Sequence, residues 1–222
     1  MAGDRRPHRR RDRRAHLGKP AVTARFVALE GIDGCGKSTQ ATLLADALRA
    51  RGHDVVLTRE PGGTALGEGV RNLVLAGGAM SPVAEALLFA AARAQLVAEV
   101  IRPALDAGRW VVTDRFVDSS LAYQGAARGL GIDEVWRINR PAVEECLPDL
   151  AVVLDVPATV AAGRGTGPDD RIEREGVALQ EAVAAGYGEL AARFPQRVTI
   201  VSGDGTVEQV HDRVLARVAA LA

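Results

Sequence analysis

Short apolar runs alternate with longer amphipathic stretches along this chain, and that alternation predicts its elements. Residues 26–30, 54–58, 109–113, 150–155 and 197–201 read as five strands. Helical spacing covers 38–51, closed by Gly52, and 82–106, closed by Gly108. Two further helices are predicted over 133–146, stopped by Pro148, and over 207–221. Strands and helices in turn are the pattern of an α/β protein, with helices packed around a mostly parallel sheet.

A chain of 222 residues that is 47% hydrophobic fits one domain with a sizeable core, placed at 23–222. Its formal charge is zero, but residues 1–20 carry eight basic side chains against Asp4 and Asp12, leaving −6 for the rest. The segment 1–22 therefore reads as a disordered basic tail. Weak adhesion to nucleic acid, a transit peptide, or translation starting near Val22 are the other readings of it. The apolar run at 87–92 is far below the roughly 20 residues that cross a bilayer. Cys35 and Cys146 form neither a disulfide framework nor a zinc pattern, so a soluble protein of a reducing, cytoplasmic compartment is expected. The sequence contains no internal repeat.

Chemistry enters immediately after the first strand. Gly31, Ile32, Asp33, Gly34, Cys35, Gly36, Lys37 and Ser38 fit G-x-x-x-x-G-K-[ST] between a strand and a helix. Glycines let the loop turn its N–H groups onto a phosphate, and the following helix, with Thr39 in its first turn, adds its positive end. Lys37 supplies a point charge for the β- and γ-phosphates, and the Ser38 hydroxyl suits Mg²⁺. ATP binding by residues 31–39 is the expectation. Cys35 within the loop reads either as a small filler or as a thiol open to oxidation.

Other segments carry two readings each. Asp114 and Arg115 end an apolar strand where α/β sheets place ligands, so they serve either as a metal-water ligand and a phosphate clamp or as a local ion pair. Phe89 and Arg93, four apart on one helix, either stack on and read a base or pack in the core. The loop from Arg59 to Thr64 suits a substrate phosphate or a plain turn. The Gly- and Arg-rich stretch 164–174 reads as a lid that brings an arginine to ATP, or as an exposed charged loop.

Taken in order, FVALEGIDGCGKSTQ, TREPGGT, LLFAAARAQL, VVTDRF, SSLAYQGAARG, PDLAVVLDV and DRIERE resemble the thymidylate kinase family from Phe26 to about Glu175. The resemblance implies a nucleoside-monophosphate kinase fold with a five-stranded parallel sheet, a lid, a homodimer, and transfer of the ATP γ-phosphoryl group to dTMP. It implies that Asp33 meets the sugar and helps organise the acceptor phosphate, with Arg59 on the substrate side and Arg115 gripping that phosphate. Phe89 would stack on thymine and Arg93 would bond its O4. Ser120, Tyr123 and Gln124 would line base and sugar, Tyr123 crowding a 2′-hydroxyl. Some family members carry an arginine in the P-loop where this chain has Gly34. The resemblance then moves catalysis to lid arginines, Arg171 first and Arg164 or Arg174 in reserve, alongside Lys37, Arg115 and Asp33. Ser38 and Asp114 would hold Mg²⁺. Another monophosphate kinase, or a P-loop ATPase switch that binds DNA, are the rival functions.

Overall fold

In the computed structural model, residues 24–76, 78–143, 145–164 and 171–221 are described. The basic tail and lid positions 165–170 lie outside them. Strand β1 (Phe26–Gly31) is buried along its whole length, as a strand with neighbours on both sides and helices above and below must be. β3 (Trp110–Asp114) and β4 (Leu150–Asp155) flank it and are almost as buried. β2 (Val55–Arg59) and β5 (Val198–Ser202) alternate in exposure, as edge strands do. All pairings are parallel, in the order β2-β3-β1-β4-β5. The five predicted strands are present, with β2, β3 and β5 displaced one residue toward the C-terminus.

Helix α1 (Lys37–Ala50) starts from Gly36, at φ 99°, and ends at Gly52, whose N–H bonds Arg49 O at 2.9 Å. The predicted helix 82–106 is continuous but not uniform. α3 (Pro82–Leu96), capped by Ser81 Oγ, widens into a π-helical turn at Val97–Ile101 before α4 (Arg102–Asp106). Pro103 has no N–H to return to the preceding turn, and widening frees the chain from that need. α6 (Ile132–Val143) stops three residues before the predicted end, where Glu145 turns the chain at φ 67°. α9 (Val207–Val218) opens with a full capping box between Thr206 and Gln209.

Four helices lie outside the periodicity reading: α2 (Ala65–Ala76), α5 (Val117–Ser120) with its π-helical continuation Leu121–Ala127, where the resemblance does imply a helix around Ser120, Tyr123 and Gln124, α7 (Ala158–Ala162) and α8 (Val177–Arg193). α8 presses so closely on the 121–127 turn that a Cβ on Gly186 would stand 2.8 Å from Ala126 Cβ. A small second cluster of Val70, Val74 and Ala92 joins α2 to α3. No helix among the described residues is long and apolar enough to cross a membrane.

α8 also closes a polar knot inside the core. Glu30, fully buried on β1, accepts bonds from Phe116 N (2.8 Å), Ser119 Oγ (2.6 Å) and Tyr187 OH (2.8 Å). Burial, with Asp118 nearby, pushes its carboxyl up to about 7, against the pull of Ser119, Arg115 and Tyr187. The folded protein thus keeps a proton that the unfolded chain releases near 4.5. Stability from this residue is therefore lost as pH rises between those values. In urea titrations at about pH 5 and about pH 8, Glu30→Gln is expected to gain on the wild type with rising pH. A constant difference between the two would show that Glu30 is not proton-linked to folding.

Candidate active site

The register of the sheet gathers the chemistry at one edge. Leu29 pairs with Asp114, Gly31 with Leu154 and Arg59 with Asp114, so the ends of β1, β2 and β3 meet around the loop 31–38. That loop is tightly built. A Cβ on Gly31 would fall 2.8 Å from Leu154 O, and one on Gly34, at φ 73°, would strike the carbonyl oxygen of Ala161 in α7.

A cavity of about 280 Å³ opens beside it. It is lined by all eight residues expected to bind the monophosphate, namely Asp33, Arg59, Phe89, Arg93, Arg115, Ser120, Tyr123 and Gln124. Gly34, Lys37, Ser38 and Asp114 line it too, whereas Gly31, Ile32, Cys35, Gly36 and Thr39 do not. Lys37 is nearly buried, its Nζ donating to Ile32 O at 2.6 Å. Ser38 Oγ donates to Asp114 Oδ2, bringing the two expected metal-side residues together. Asp114 Oδ1 is buried without a hydrogen-bond partner among the described residues. An orphaned carboxylate oxygen next to a hydroxyl fits Mg²⁺, which keeps most of its water and takes few protein ligands.

Asp33 and Arg115 form the centre of the site. Arg115 Nη2 pairs with Asp33 Oδ1, and Nη1 donates to Gly31 O and to Ser119 Oγ, both at 3.0 Å. Tyr123 OH donates to Asp33 Oδ2 at 2.8 Å, and its ring lies 5.0 Å beneath the Arg115 guanidinium. Burial would raise the Asp33 carboxyl, but Arg115 and Lys37 hold it well below the usual carboxylate range. Burial likewise pushes the Tyr123 hydroxyl up, so it stays a donor. Arg115 adopts φ 72°, a left-handed conformation that costs a side-chain-bearing residue about 1–3 kcal/mol. The Phe116 N–H bond to Glu30 and the Thr113 Oγ1 bond to Arg115 O (2.9 Å) hold it there.

Two arginines differ from their sequence-based pictures. Arg93, expected at the base edge, is 1% exposed and lies over the Phe116 ring. Its Nε and Nη2 bond Glu60 Oε2 at 2.9 and 2.6 Å, and Nη1 reaches Ser120 Oγ and Asn139 Oδ1. Burial lifts the Glu60 carboxyl to about 7 despite Arg93 beside it. Arg171, expected first among catalytic arginines, is not brought to the cavity. Its Nη2 pairs with buried Glu85 and its Nε donates to Val74 O at 2.8 Å, while its neighbour Ile172 lines the cavity instead. Among the described lid positions, Arg164 and Arg174 are exposed.

Arg59 stands at the rim, paired with Glu68 at 2.8 Å. Glu60 and Pro61, from the loop expected to suit a substrate phosphate, line the cavity too, and so do Arg71, Leu75 and Ser119, which were not foreseen, the first two because α2 itself was not. Gln180 was missed for the same reason. From α8 it donates through Nε2 to Asp33 Oδ2 (3.0 Å) and accepts the Asp33 N–H (3.1 Å). A periodicity reading extended past Gly176 would have found the helix but not that contact.

Comparison with known proteins follows this geometry. A sequence model described as thymidylate kinase matches residues 29–214. The chain is 46% identical over 199 residues to a thymidylate kinase of Syntrophotalea carbinolica, covering 85% of this chain and 92% of that protein. It is 48% identical over 206 residues to one of Rhizorhabdus wittichii, covering 90% and 99%. A crystal structure of the thymidylate kinase of Ehrlichia chaffeensis superimposes with a TM-score of 0.73 at 30% identity, covering 88% of this chain and 98% of that one. With its five-stranded parallel sheet, P-loop and strand-end Asp-Arg pair, this chain belongs to the thymidylate kinase family.

Proposed function

We propose that the protein transfers the γ-phosphoryl group of ATP to dTMP, giving dTDP, with Mg²⁺ as the cation. The observation that carries this reading is the joining of a P-loop and the Asp33–Arg115–Tyr123 cluster along one cavity wall. Phosphoryl transfer needs positioning and charge neutralisation rather than a covalent intermediate. Loop N–H groups and Lys37 hold the donor phosphates, the Lys37 ammonium exchanging Ile32 O for a phosphate oxygen. Ser38 and Asp114 would hold Mg²⁺, and the ion would supply neutralisation of charge on the transferred group. Arg115 binds the acceptor phosphate, with Arg59 and Arg71 near it. Asp33, kept ionised, meets the sugar hydroxyl and holds Arg115 in place.

Phe89 supplies the face on which thymine stacks, and Arg93, Ser120 and Gln124 the polar edge. Tyr123, fixed by Asp33 and Arg115, fills the space of a 2′-hydroxyl. Arg171 fits the role of an anchor for the end of the lid, which assigns the arginine that reaches ATP to Arg164 or Arg174. A homodimer is supported by exposed apolar side chains on neighbouring helices, Leu66 and Leu73 on α2 and Val83 and Leu87 on α3. Both cysteines are unpaired, in keeping with a reducing cytoplasm. The domain is assigned to 23–222 with the lid near 164–174, and the basic tail 1–22 to a dispensable extension.

ADP release measured with each common nucleoside monophosphate as acceptor is expected to favour dTMP strongly. Hydrolysis of ATP that ignores the acceptor would replace this reading with a switch. In the same assay Lys37→Met should lower kcat by about 100-fold or more, with an unchanged circular dichroism spectrum. The double variant Arg164→Ala/Arg174→Ala should lower kcat by about 100-fold while the KM for dTMP stays within about twofold. Normal kcat in that variant would remove the lid arginines from the chemistry.

A further inference from the structure

Glu85, in the first turn of α3, is buried at 1% exposure yet does not line the cavity. Each of its side-chain partners is a donor. Oε1 accepts from Gln124 Nε2 at 2.8 Å and from Arg128 Nε at 2.6 Å, and Oε2 accepts from Arg171 Nη2. Those two arginines are themselves held. Arg128 makes a two-pronged pair with Glu175 at 2.9 and 2.7 Å, and the main-chain N–H of Arg171 bonds Leu75 O at 3.0 Å. Glu85 therefore cannot swing away, and it can only accept.

A primary amide on a cavity wall can turn either its oxygen or its NH₂ group inward. A fixed acceptor-only partner removes that choice, because Gln124 must spend its NH₂ on the carboxylate and leaves Oε1 for the cavity. We propose that Glu85 is a positioning residue that sets the Gln124 amide with its oxygen toward the acceptor base, so that the site selects a base whose ring nitrogen carries a hydrogen. This rests on the dTMP reading: N3 of thymine is a donor, whereas N3 of cytosine is an acceptor. An amide held the other way would offer the wrong group to thymine.

Glu85→Met tests the idea, since it removes the acceptor at similar side-chain length and leaves the Gln124 amide free to turn over. The expected result is a KM for dTMP raised about tenfold at similar kcat, with the kcat/KM preference for dTMP over dCMP narrowed by at least that factor. The exchanged pair Glu85→Gln/Gln124→Glu puts an acceptor back on the cavity and is expected to restore the preference. A merely structural role would lower activity toward both nucleotides together and would not be rescued by the exchange. An unchanged dTMP to dCMP ratio in folded Glu85→Met overturns the proposal. Hydrogen exchange of the Gln124 side-chain amide in the wild type gives a readout free of folding defects: slowing of about tenfold or more relative to a free amide is expected, and free-amide exchange overturns it. A wild type that leaves dTMP untouched would instead sink the functional reading, whatever the amide shows.

Discussion

The ion pair between Asp33 and Arg115 ties together four parts of the molecule that are far apart in sequence. Asp33 belongs to the loop after β1, Arg115 to the turn after β3, Tyr123 to a π-helical turn and Gln180 to the helix beyond the lid. Both side chains are only partly exposed, 26% for Asp33 and 15% for Arg115, so removing either would leave the other poorly compensated. Each element is therefore held by the need of the others. Arg115 adopts a backbone conformation that its side chain disfavours, and the polar knot around Glu30 holds it from below. The phosphate clamp of the proposed function would thus be built before any phosphate arrives, the condition under which electrostatic positioning is most effective.

Much of this was legible in the sequence because it obeys local rules. Apolar runs in a parallel sheet are nearly continuous, so all five strands could be seen, though three were placed one residue early; their ends are set by pairing with neighbours rather than by their own residues. The P-loop is a spacing, and a spacing survives without a structure. By contrast α8 has glycines at 186 and 188 that weaken its helical signal, and only the closeness of residues 122–126 explains Gly186. Glu85 and Gln180 act through contacts 39 and 147 residues away, which no local pattern encodes. The π-helical turns leave no such mark either.

Arginines show the same limit in a sharper form. The chain is rich in them, and sequence alone ranks them by motif. The fold ranks them by what surrounds them. Arg93 is enclosed by Glu60, Asn139, Ser120 and the Phe116 carbonyl, so all five of its N–H groups are spent on the protein itself. Arg171 is held by Glu85 and by the last carbonyls of α2, where a positive charge is favoured by the helix's own dipole.

The close approach of Gly34 to Ala161 has an evolutionary meaning. Ala161 lies in α7, which leads within a few residues into Gly163, Arg164 and the lid. This chain has no room for a side chain at position 34, since even a Cβ would collide with that backbone carbonyl. A lineage starting from this sequence could not acquire the loop arginine by a single substitution without first displacing the root of its lid. Under the proposed lid mechanism, delivery of an arginine from the loop and delivery from the lid are thereby separated by a steric barrier between positions 34 and 161.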